Sequence, residues 1–222
     1  MIWLPHTLTA LKFCCALLLT LSTCRDSIAA TYYWDTNGSS SGIGSAGGVT
    51  ADWLSNHWAT SPSGAQPTGP WPNGQPINTD EAVFAGTSGI VQLGADVFAN
   101  SVTFQSNGYT IAPAGGALYL AGASPTIHVS LPSANNTATI SASIRGDNGF
   151  TLSGNSLSGG LKFLQLDNSD PTNPNSFSGT LTIEASGALR LRGGAANEQI
   201  PDNVDLVVYG VIDFHTSGGA SD

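Results

Sequence analysis

The stretch Asn175 to Leu191, NSFSGTLTIEASGALRL, constrains the fold more than any other part of the chain. Read in steps of two, Leu181 and Ile183 point one way while Thr180, Thr182 and Glu184 point the other. Ala185-Ser186-Gly187 turns the chain, and Leu189 and Leu191 resume the apolar face with Arg190 and Arg192 on the wet one. This is the period-2 signature of two short half-buried strands joined by a tight polar turn. Two strands alone are marginal in water. The unit therefore needs like neighbours above and below, and the chain supplies them from about Ile90 onward.

Apolar pairs recur every 8 to 12 residues between turn signals such as Ser106-Asn107-Gly108 and Asp147-Asn148-Gly149. They include Val91/Leu93, Val102/Phe104, Tyr109/Ile111, Leu118/Leu120, Ile127/Val129, Phe150/Leu152, Leu161/Phe163, Leu206/Val208 and Ile212/Phe214. No stretch carries a helical period, and 27 glycines in 222 residues would weaken any helix. The strands are short, show one or two inward apolar residues each, and resemble one another. That pattern favours a β-solenoid (parallel β-helix) with coils of roughly twenty-odd residues over a sandwich of fewer, longer strands. The fold class read from the sequence is all-β.

Three segments follow. Residues 1–30 read as a signal peptide: Lys12, an apolar run from Phe13 to Leu21, and the small residues Ser27 to Ala30. Leu21-Ser22-Thr23-Cys24 has the form of a lipoprotein cleavage box, in which threonine fits poorly, so cleavage after Ala29 or Ala30 is the expectation. Residues 31–86 read as a loop-rich N-terminal cap holding Trp34, Trp53, Trp58 and Trp71 among Gly, Ser and Pro runs. Buried, these rings fill a cap core; exposed in a row, they would form a sugar-binding face. Residues 87–222 read as β-helix coils, incomplete at the C-terminal end.

All three cysteines, Cys14, Cys15 and Cys24, precede residue 30, so no disulfide, thiolate metal site or cysteine nucleophile is expected in the mature chain. Its four basic residues, Arg145, Lys162, Arg190 and Arg192, face fourteen acids. No basic patch exists for phosphates, so nucleic acid is not an expected partner.

The motifs Tyr33-Trp34-Asp35-Thr36-Asn37-Gly38, Ala82 to Gly86, Ala99 to Phe104, Gly108 to Ile111 and the repeat Asn175 to Leu191 make the chain resemble the autotransporter-associated β-strand repeat proteins of bacteria. The resemblance runs from Thr31 to Asp222 and implies a right-handed β-helix of passenger type, exposed at the cell surface or outside the cell. It implies a structural or adhesive role and maps no catalytic residue. A carbohydrate-binding or lyase-like β-helix is the alternative.

Site chemistry is thin. His57, His128 and His215 stand apart from any serine or cysteine nucleophile motif. Asp167 to Asn175 carries oxygen ligands at short spacing without a closing glutamate, which fits an ordinary protruding loop better than a calcium site. Arg190, Arg192, Asp205 and Asp213 could line a lyase-like face, but salt bridges between stacked coils explain them more simply. The sequence therefore assigns no catalytic, cofactor or metal residue and expects no cofactor. Its expected partners are a surface glycan or protein and, through the open C-terminal coil, a second copy.

Overall fold

The computed structural model describes residues 29–74, 78–156, 159–192 and 198–215. The expected signal peptide and the lipoprotein-type box lie outside the described residues.

The chain enters with β1 (Thr31–Trp34), β2 (Thr50–Asp52) and β3 (Trp58–Ala59). From there it winds through repeated triplets. The first is β4 (Glu81–Phe84), β5 (Ile90–Leu93) and β6 (Val97–Ala99). The second is β7 (Ser101–Phe104), β8 (Thr110–Pro113) and β9 (Leu118–Leu120). The third is β10 (Thr126–Val129), β11 (Thr137–Ile140) and β12 (Ile144–Gly146). The fourth is β13 (Phe150–Gly154), β14 (Phe163–Leu166) and β15 (Ser176–Phe177). Then come β16 (Gly179–Ile183) and β17 (Ala188–Leu191), followed by β18 (Val204–Val208) and β19 (Val211–Phe214).

Corresponding members of successive triplets pair in parallel, giving three sheets. The first runs β18-β16-β13-β10-β7-β4-β1-β3, the second β19-β17-β14-β11-β8-β5-β2, and the third β15-β12-β9-β6. This is the architecture of a parallel β-helix. Because β16 and β17 belong to different sheets, each pairs with the coils above and below and not with the other. The tight turn between them is a solenoid corner.

Coil length follows from register. Glu81 pairs with Ser101, then Ser101 with Thr126, Thr126 with Thr151, Thr151 with Thr182 and Thr182 with Val207, which are steps of 20, 25, 25, 31 and 25 residues. Variation in length is taken up in the corners, so the strands stay aligned and like side chains stack on like. One inward column of the first sheet is Ala82–Val102–Ile127–Leu152–Ile183. One of the second is Val91–Ile111–Ile140–Leu166–Leu191. Apart from the partly buried Leu191, all these residues are buried. A one-residue slip would turn every strand's apolar set outward, which is why register holds.

One inward pair read from the sequence is corrected. Leu161 is exposed, and Phe163 sits at the outward register position beside Thr137. The inward residues of β14 are Leu164 and Leu166, which pair with Ala138 and Ile140. The run Leu161 to Leu166 has apolar residues in both phases, and the neighbouring coil decides which phase goes in. Phe163 is nevertheless buried, with the Arg190 guanidinium 3.9 Å above its ring.

Candidate functional site

The tryptophans come first, because their exposure separates a binding face from a packed core. Trp34, Trp53, Trp58 and Trp71 are all buried, with Trp34 and Trp53 at 0% exposure. They form one aromatic cluster with Phe84: Trp34–Trp58 centroids are 5.3 Å apart, Trp53–Trp58 5.0 Å, Trp58–Trp71 4.8 Å and Trp53–Phe84 5.2 Å. Trp34 donates to Ser45 Oγ, Trp58 to the Trp53 carbonyl and Trp71 to the Phe98 carbonyl. These rings offer no exposed row for sugars.

The same segment covers the first edge of the third sheet. Phe98 N donates to Asn73 Oδ1, the Asn73 amide donates to the Asp96 carbonyl, and the Asn78 amide and Trp71 Nε1 share the Phe98 carbonyl. Side chains here satisfy β6 as a further strand would, protecting an edge that would otherwise be open to pairing. Nearby, Gly86 lies at φ +68°, and a Cβ there would collide with the Ile43 carbonyl oxygen. That close approach lets the Ile43 turn sit directly on the first full coil.

The histidines are dispersed. His57 meets Trp34 edge-on at 5.4 Å, and His215 is exposed near the end of the described chain. His128 lies outward on β10, with Nδ1 2.8 Å from Ser153 Oγ one coil on. Sequence spacing could not show this, since 25 residues separate the two. Among the described residues no carboxylate hydrogen-bonds to His128, and the pair continues a ladder of outward hydroxyls. In that ladder Thr126 donates to Ser101 and Thr103 to Glu81.

Arg190 and Asp213 are register partners in adjacent coils and form an ion pair of 2.7 Å. Asp205 pairs in register with Thr180 in another sheet, so the two aspartates do not converge. Within Asp167–Asn175, Asp170 Oδ1 accepts from the Thr172 amide and hydroxyl, which hold its carboxyl below the usual carboxylate range. Asn168 and Asn175 turn inward. The amide of Ile144 donates to Asn175 Oδ1, Asn175 Nδ2 to the Gln199 carbonyl, and Asn168 N to Gln199 Oε1. Buried amides at this corner thus tie successive coils together.

A groove that the sequence did not single out lies where the third sheet turns into the first. It encloses about 450 Å³. Its wall is Phe98 and Tyr119, register partners whose rings stack at 4.6 Å and 17°. Its far rim is Asp147 and Asn148, both exposed, with Asn148 Nδ2 bonded to the Gly122 carbonyl. Arg145 follows Tyr119 in the outward column. It donates to Tyr119 Oη at 2.9 Å and to Asn173 Oδ1, while its buried Nε has no partner among the described residues. Phe98, Tyr119 and Arg145 are the middle residues of Val97-Phe98-Ala99, Leu118-Tyr119-Leu120 and Ile144-Arg145-Gly146, and occupy one outward slot of successive coils.

These features define a β-solenoid with a capped first edge and a side groove. Over 181 residues, 82% of its length, the chain is 34% identical to the Adhesin BmaC autotransporter of Brucella suis biovar 1 (strain 1330). It spans 5% of that protein's length. No protein-family model matches the chain. No solved structure matches it either.

Proposed function

We propose that this chain is a passenger-type β-solenoid segment of an exported bacterial surface protein, with a structural or adhesive role and no catalysis of its own. The carrying observation is the 34% identity to an autotransporter adhesin over 82% of the chain, on a fold whose coils stack in continuous register. In this reading residues 1–30 are a signal peptide, 31–86 an N-terminal cap and 87–222 β-helix coils. The same reading takes Asn175 to Leu191 as one copy of an autotransporter-associated β-strand repeat. Stacking supports the role physically: each coil adds buried columns and backbone ladders, so a rigid surface can be extended by repetition.

Two experiments test it. Residues 1–30 fused to a periplasm-dependent reporter are expected to export it, and a reporter retained inside the cell contradicts the export reading. Beads coated with the exported chain are expected to bind cell monolayers in proportion to coating density. Binding no better than beads coated with an unrelated acidic β-solenoid contradicts the adhesive reading.

A further inference from the structure

We infer that the groove between Phe98–Tyr119 and Asp147–Asn148 is a binding site for a neutral pyranose ring, such as a terminal sugar of a surface glycan. The inference rests on the adhesive reading above and gives it a ligand class and a location.

The volume is that of a small-molecule site, and its make-up is that of one: mostly apolar lining with a few polar groups on one side. A pyranose has the matching duality, a face of polarised C–H groups and a ring of hydroxyls. With the ring faces stacked on one another, Phe98 and Tyr119 turn apolar ring atoms into the groove, a surface on which such a C–H face can pack. The Asp147 carboxylate and Asn148 amide, exposed on the opposite rim, can take hydroxyl hydrogen bonds.

Other occupants fit less well. An anionic sugar would meet Asp147 on a chain of net charge −9. A cation would find a single carboxylate, Asp147, in an otherwise mostly apolar lining. A peptide adding itself as a strand would need free backbone groups. The backbones of β6, β9 and β12 pair coil to coil, and the outer edge of β6 is taken by Trp71, Asn73 and Asn78.

The wall is also pre-ordered. Tyr119 is held between the Phe98 ring on one side and the Arg145 guanidinium on the other, 5.7 Å from its centroid and bonded to its hydroxyl. A ring already immobilised loses little entropy when a ligand packs on it.

Saturation-transfer NMR on the full chain decides the matter, using methyl mannoside, methyl galactoside and N-acetylglucosamine as neutral probes, N-acetylneuraminic acid as the anionic probe and methyl isovalerate as the apolar one. At least one neutral sugar is expected to receive saturation at its ring C–H protons. Ala123→Trp, which fills the groove from an exposed position, is expected to weaken that binding at least about tenfold. Tyr119→Ala is expected to do the same. Amide spectra of both variants that match the wild type outside the groove confirm that folding is intact. Sugar binding unchanged in Ala123→Trp overturns the proposal, as does transfer to no neutral probe, or transfer to N-acetylneuraminic acid or methyl isovalerate as strong as to any neutral sugar. Cell binding by coated beads separates the two readings. If Ala123→Trp beads adhere like wild type, this site fails and the adhesive role stands. If sugars saturate the groove but no beads adhere, the site stands and the adhesive role fails.

Discussion

Trp34 and Trp58 are register partners across the antiparallel pair β1–β3, and their rings meet edge to face at 5.3 Å. β3 is the outermost strand of the first sheet, so this contact closes the near end of the solenoid. Trp34→Ala removes a fully buried ring and leaves Ser45 Oγ without its donor. The expected loss is about 3–5 kcal/mol, read by urea denaturation. A variant that unfolds at the wild-type midpoint contradicts the packed-cap account.

Asp35, next in sequence, is buried, with Oδ1 taking the Asn37 amide and Oδ2 lacking a partner among the described residues. Burial raises its pKa, and the Asn37 hydrogen bond and His57 offset this only in part. The folded chain therefore holds this proton to higher pH than the unfolded chain does. Its contribution to stability is greatest in acid and declines as pH rises from the ordinary carboxylate range through the raised folded value. Asp35→Asn abolishes that decline, so its melting temperature relative to wild type should climb between pH 3.5 and pH 7. A difference that does not change with pH refutes the assignment.

The corner at Asn175 is expected to matter more than its loop setting suggests. Asn175→Ala strands the buried amide of Ile144 and should cost about 1–3 kcal/mol. Thr172→Ala, in the exposed part of the same loop, should stay within about 0.5 kcal/mol. The chelator EDTA should shift neither melting curve, because the inward amides of this loop bond to the next coil. A chelator-dependent drop would reassign the loop to metal binding.

Leu206, Val208 and Phe214 stand in register over Leu181, Ile183 and Leu191, yet are 43%, 44% and 77% exposed. An apolar face beside a strand edge is a template for another strand, from a further coil or a second molecule. Residues 31–222 are expected to self-associate, and Leu206→Lys with Phe214→Lys to suppress it. Light scattering that finds the wild type monomeric at all concentrations overturns this.

Much of this architecture was legible before any coordinates, for a simple reason. Val102/Phe104, Ile127/Val129 and Leu181/Ile183 alternate cleanly, and alternation alone places them inward. Where apolar residues occupy both phases, as from Leu161 to Leu166, local pattern is silent and the neighbouring coil chooses. The apposition of Arg190 and Asp213 was readable because they fall in matching slots of two similar repeats. The Phe98–Tyr119–Arg145 column was not read, because outward positions carry no period of their own. They meet through corner lengths that vary from coil to coil, which no local motif encodes. The His128–Ser153 contact was missed for the same reason.

The central claim is continuous parallel stacking, and its hardest test lies at the longest step, where Thr151 pairs with Thr182 across 31 residues. The native cysteines all precede residue 30, so an engineered pair in residues 29–222 reports without background. Thr151→Cys with Thr182→Cys should form a disulfide in the native state, since register partners lie within disulfide reach. Thr151→Cys with Glu184→Cys, two residues out of register, should remain reduced under the same oxidant. Crosslinking of the first pair alone is the predicted result; equal crosslinking of both, or of neither, contradicts the register on which the whole account rests.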